Sequence, residues 1–244
     1  MIGGRFRGET DPSESSTTIE RLRYDTSPQI SRTQRLGTDT GLSGHAVGVE
    51  DDPMHIELAT LRELEQTVRD GLYCIDSAGV RALAVSTLAA ASAERAHARS
   101  EETPQWSNKT SDTWRAHLEM VWQYLEGDAT RHRALSGVLA DFLLGPLNHN
   151  DGQDGPNDFD RPQTVASYSA VASVVFWGVD FATTATSQVF ELIDLKYDVT
   201  YPPERAIEVE SERRWALDAL ASVLATAATG TRGFTSDLFA DFRG

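Results

Sequence analysis

Cysteine is almost absent from this 244-residue chain. Cys74 stands alone, so no disulfide can form within it, and a cysteine-based zinc site would need more than one thiolate. Lysine is nearly missing too: Lys109 and Lys196 are the only two, and arginine carries the rest of the positive charge. No Walker-type loop and no Gly-x-Gly-x-x-Gly turn occurs, which removes the usual phosphate-cradling motifs. Nor is there an uninterrupted apolar run long enough for a membrane span. The longest, around Ala82–Ala93 and Val171–Ala182, are short and carry polar residues. The opening Met1-Ile2-Gly3-Gly4-Arg5 lacks the apolar stretch of a secretory signal. A cytoplasmic location is the expectation.

What is plentiful is negative charge. Twenty-two basic residues face 37 acidic ones, for a formal net charge of -15. Such a surface repels nucleic acid and anionic membranes and favours basic partners, although solubility alone also accounts for it. A hydrophobic fraction of 40% supplies a real core. The length suits one domain of about 100–200 residues plus a tail.

Residues 1–53 are rich in Ser, Thr, Gly, Asp and Arg, and their apolar residues are scattered singly. Such a segment buries too little apolar surface to offset its ordering entropy, so a disordered N-terminal tail is expected, or an extension upstream of a start at Met54. From His55 onward the period is helical. Leu61, Leu64, Val68 and Leu72 share one face, and Asp76-Ser77 caps a second helix that ends near His97. Ser111-Asp112 opens a third helix, broken at Gly127-Asp128. A fourth, carrying Leu135, Leu139 and Phe142, stops before Gly145-Pro146.

A fifth helix runs from about Gln163 to Trp177. Asp180 is a candidate N-cap for a sixth, Phe181–Tyr197, whose Ala182–Asp194 stretch has a small-residue face suited to burial between helices. A seventh spans roughly Glu204–Ala227. Residues 229–244, with Phe234, Leu238, Phe239 and Phe242, form a tail that either docks as a short helix or hangs free. The pattern predicts an all-α fold: a single multi-helix bundle over 54–228, of about six to eight helices, with no fixed-period repeat.

Reactive constellations are sparse. Glu94-Arg95-Ala96-His97 has the Glu-x-x-His spacing of di-iron helical bundles, which puts both side chains on one face. Such sites use a second copy, and none exists here, so an exposed helix end is the plainer reading. Asp151, Asp154, Asp158 and Asp160, interleaved with asparagines, make an oxygen-rich loop of the kind calcium favours. Their spacing is not that of an EF-hand. Cys74 sits near the end of an apolar helix with no patterned histidine beside it, which suits packing. The five tryptophans mostly fall on helical faces and read as core. Neither a cofactor nor a metal is expected, and no catalytic set is assigned.

Three segments carry a resemblance: Arg81–Arg95, ending Ala91-Ser92-Ala93-Glu94-Arg95; Trp114–Asp128; and the sixth-helix stretch with Ala182, Ala185, Glu191 and Asp194. Together they resemble the small helical bacterial proteins of domain-of-unknown-function family 416 and its actinobacterial relatives, over roughly Glu57–Leu224. Some relatives sit among the immunity proteins of polymorphic toxin systems. The resemblance implies a non-enzymatic, acidic helical protein that binds and neutralises a toxin. Candidate partner-binding residues are Asp151, Asp154, Asp158 and Asp160 in the loop, and Glu204, Glu208, Glu210 and Glu212 on the seventh helix. Two alternatives remain: a metal-dependent helical enzyme built on Glu94 and His97, and a homo-oligomerising structural protein.

Overall fold

The computed structural model describes residues 53–102, 110–148, 161–197 and 202–243. The expected tail over 1–53 and the loop carrying Asp151, Asp154, Asp158 and Asp160 lie outside these, apart from Pro53 itself.

Among the described residues the structure is all-α, with no strand. The helices are α1 (Pro53–Tyr73), α2 (Ala78–Glu101), α3 (Thr110–Leu125), α4 (Thr130–Asn148), α5 (Pro162–Phe176), α6 (Val179–Tyr197), α7 (Pro203–Ala228) and α8 (Ser236–Arg243). One 3-10 turn, Thr231–Gly233, precedes α8. None of these helices is long and apolar enough to cross a membrane.

Helices α2, α5 and α6 form the centre, each packed along the other two. Their sequences explain the arrangement. Every residue from Ala84 to Ala93 in α2 is buried, so this helix is enclosed on all sides rather than along one stripe. Ala89, Ala90, Ala91 and Ala93 meet Ala166, Ala170 and Ala172 of α5 and Ala182 and Ala185 of α6 in one core. Short side chains let the backbones approach closely. Some hydroxyls buried with them find local partners: Ser92 and Thr186 share a 3.0 Å hydrogen bond between α2 and α6, and Ser173 donates to the Ala170 carbonyl at 2.6 Å. Helix α1 leans on α6 and α7, α3 covers α2 and α5, and α4 lies against α3 and α5.

Several helix limits differ from those predicted. Ser77 does cap α2, but the helix continues past His97 to Glu101. Helix α4 runs through Gly145-Pro146 to Asn148. A proline this near a helix end removes a single backbone bond, and Gly145 has no Cβ to clash with the proline ring. Asp180 lies inside the first turn of α6 rather than capping it. There its charge complements the helix dipole and meets Arg69 of α1 at 3.0 Å. Of the two alternatives for the C-terminal tail, docking is what the structure has. Phe239 of α8 is fully buried, 5.6 Å from the Trp122 ring.

Candidate functional site

The acidic set on α7 divides by helical geometry. Glu204 is exposed in the first turn, on the favourable end of the helix dipole. Glu210 is exposed and paired with Arg213 at 2.8 Å. Glu208 turns toward α6, taking Lys196 Nζ at 2.6 Å and the Tyr197 hydroxyl at 2.8 Å. Glu212 is not on the surface at all: its exposure is 0%. Two turns beyond Glu204, it has rotated onto the face that packs on α2. There it accepts from Arg95 Nε at 2.8 Å and Nη2 at 2.7 Å, and from Arg99 Nε at 2.8 Å. Burial alone would raise its carboxyl; the hydrogen bonds and charges of Arg95 and Arg99 outweigh that and hold it below the ordinary value. A carboxylate enclosed in this way offers nothing to a partner and instead clamps α7 to α2.

The Glu94–His97 pair separates as well. His97 is 1% exposed, and its Nε2 lies 2.8 Å from Ser167 Oγ on α5. Burial, with help from the Arg115 charge, lowers its pKa to about 4, so the ring is neutral at physiological pH. Glu94 faces the other way and accepts the Trp122 indole N–H at 2.9 Å. Desolvation raises its carboxyl, an effect that hydrogen bonding to Trp122 only partly offsets. Among the described residues no three His, Cys, Asp or Glu side chains come together as a metal site. The shared helix face predicted for the pair fails to become a shared site because Ser167 draws His97 into the α2–α5 contact.

Of the tryptophans, Trp114 and Trp122 are core residues as expected, and Trp106 lies outside the described residues. Trp177 is not core: it is 58% exposed, beside Phe176 at 56%. It ends α5 in the left-handed conformation (φ 56°), with its N–H on the Ser173 carbonyl. A bulky residue seldom adopts this geometry, and glycine usually fills the position. Here the glycine comes one residue later, at Gly178, where a Cβ would stand 3.2 Å from the Phe181 ring. The close packing of Phe181 therefore disfavours any side chain at 178, and the left-handed residue is Trp177 itself. The indole overhangs a cleft of about 210 Å³ with Leu83, Ala82 and Tyr124 on its walls. Tyr73 is exposed at the end of α1. Cys74, expected to pack, is exposed one residue past the end of α1.

The chain is thus an all-α bundle with an overhanging aromatic corner and an internal arginine–carboxylate seam. Comparison with protein-family models, with curated proteins and with solved structures finds no match for it.

Proposed function

We propose that this protein works by binding another protein, as an immunity-type factor that occupies and blocks a basic toxin. The observation that carries the reading is Trp177. A large aromatic side chain, held outward over an apolar cleft by a costly backbone conformation, is the form that binding anchors take. Tryptophan, tyrosine and arginine dominate the energetics of protein interfaces, above all beside a pocket that excludes water. Residues in sparsely populated backbone regions cluster at such sites.

The net charge of -15 supports the choice of partner, since a strongly acidic chain attracts a basic one over long range and speeds the encounter. Glu204, Glu210 and the Asp151, Asp154, Asp158 and Asp160 loop belong to that field.

The test is co-expression with the protein encoded beside it, followed by co-purification and rescue from toxicity. Rescue that is lost in Trp177→Ala, with the fold intact, supports the reading. A chain that binds no second protein and self-associates through Trp177 would instead be the homo-oligomeric alternative.

A further inference from the structure

The cleft that Trp177 overhangs is built on one face of α2, and it deepens along that helix. Gly79, Ala82, Leu83 and Ser86 recur at three- and four-residue spacing, so they line one side of it in succession. Gly79 is exposed at the rim, where an added Cβ would meet nothing within 4 Å. Ala82 and Leu83 are half-buried, and Ser86, two turns in, is 2% exposed. Tyr124 of α3 and Trp177 add two aromatic rings to the lining.

The hydroxyl at the inner end sets this cleft apart. Ser92, Ser100 and Ser173 are buried like Ser86, and each has a hydrogen bond of 3.0 Å or less. The Ser86 hydroxyl has none with any described residue. Nor is it sealed in, as the unpartnered hydroxyl of Thr87 beside it is; it faces the cleft that Ser86 lines. Buried polar groups normally find a partner, so this one is left for whatever enters.

The lining carries no charged side chain. The group that fits is therefore apolar along its body, with a hydrogen-bonding tip that enters first. At about 210 Å³ the cleft is below the range that takes a drug-sized ligand, which leaves room for about one side chain. A lysine or arginine would bury its charge there with no carboxylate to meet, on the helix whose positive dipole end opens the cleft. A leucine or phenylalanine would leave Ser86 unpaired. A tyrosine meets every condition: its ring packs well among aromatic walls, and its hydroxyl both donates and accepts.

We propose that this cleft receives a phenolic ring, the side chain of a tyrosine on the binding partner, with its hydroxyl on Ser86. The inference rests on the reading of Trp177 as a binding anchor and names the group that the anchor holds.

The test uses side-chain analogues and needs no partner: calorimetric titration of the full chain with 4-methylphenol, with toluene and with acetyltyrosine amide. 4-Methylphenol is expected to bind one to one, with a Kd on the order of 1 mM. In Ser86→Ala its affinity should fall by about tenfold, because the phenol hydroxyl is left unpaired, while toluene should bind no more weakly than before. The hydroxyl removed has no partner and alanine is the better helix former, so the urea midpoint of this variant should equal or exceed the native one. Trp177→Ala should weaken both ligands. Acetyltyrosine amide that binds as well as 4-methylphenol upholds a ring presented by a protein, whereas its exclusion would make the occupant a free phenol and overturn the proposal. No saturable binding of 4-methylphenol, unchanged affinity in Ser86→Ala, or a lowered urea midpoint in that variant would overturn it too. The anchor reading fails separately, in the rescue assay: Trp177→Ala that still rescues sinks that reading, whatever the analogues do.

Discussion

Glu212 and Arg95 form a two-pronged ion pair between α7 and α2, with both carboxylate oxygens engaged and the carboxylate wholly removed from water. Arg99 reinforces it from one turn along α2. Breaking a buried pair by removing one partner strands the other charge and commonly costs about 3–5 kcal/mol. Arg95 is 34% exposed and can rehydrate, whereas Arg99, at 14%, has less freedom to do so. Glu212→Ala is therefore expected near the lower end, about 3 kcal/mol, and Glu212→Gln should cost less because it keeps the shape and one acceptor oxygen. Urea denaturation at neutral pH measures both. A loss under about 1 kcal/mol for Glu212→Ala would mean that the pair does not hold α7.

His97 gives the fold a pH dependence whose sign is fixed. Its folded pKa of about 4 lies below the unfolded value of 6.5, so the unfolded chain takes up the proton first. Its contribution is complete above pH 6.5 and is lost as pH falls toward 4, to a limit of about 3 kcal/mol. Glu212 and Glu208, whose carboxyls are held low, lose their contributions at lower pH, below the ordinary carboxylate value. Glu94, raised by burial, acts in the opposite sense and is relieved by acid. The expected result is a decline in stability between pH 6.5 and 4 that flattens in His97→Asn. An equal slope in that variant would assign the decline to other groups.

Helix α8 should behave as part of the domain. Phe239 is fully buried against Trp122, and Arg243 pairs with Glu119 of α3. Phe239→Ala is expected to cost about 3–4 kcal/mol through lost burial and the cavity left behind. Protease resistance of the C-terminus checks the same point: early cleavage in the variant but not in the native chain is the expected outcome.

The fold was legible in the sequence where periodicity is strong. Leu64, Val68 and Leu72 of α1, and Ala182, Ala185, Val189 and Phe190 of α6, are buried as their spacing predicts. Ser77 caps its helix as local chemistry requires. The site residues were less legible, because they depend on contacts between distant segments. Nothing local distinguishes Glu212 from Glu204. Their fates differ because α7 crosses α2 where Arg95 and Arg99 stand, 117 and 113 residues away. Glu94 and His97 share a helix face on paper, yet Ser167 claims one and Trp122 the other. Trp177 had one faint local sign, the Gly178 that follows it. The structure shows that this glycine gives room to the Phe181 ring, while the left-handed residue is Trp177 itself.

Trp177 offers the sharpest separation of stability from function. Its left-handed backbone costs roughly 1–2 kcal/mol, which glycine would not incur. Because the side chain is more than half exposed, replacing it gives up only part of its burial. Trp177→Gly should therefore leave stability within about 1 kcal/mol of the native chain, with relief of backbone strain offsetting the lost contacts. A purely structural tryptophan would instead cost about 3–5 kcal/mol on truncation. If the corner is the partner-binding anchor, the same variant should weaken the complex by about 2 kcal/mol or more, roughly thirtyfold in Kd. Equilibrium unfolding and a binding titration on one protein preparation give the two numbers side by side. Native-like stability with the partner released fits an anchor. Large destabilisation would return Trp177 to the core, and full affinity would move the interface elsewhere on the molecule.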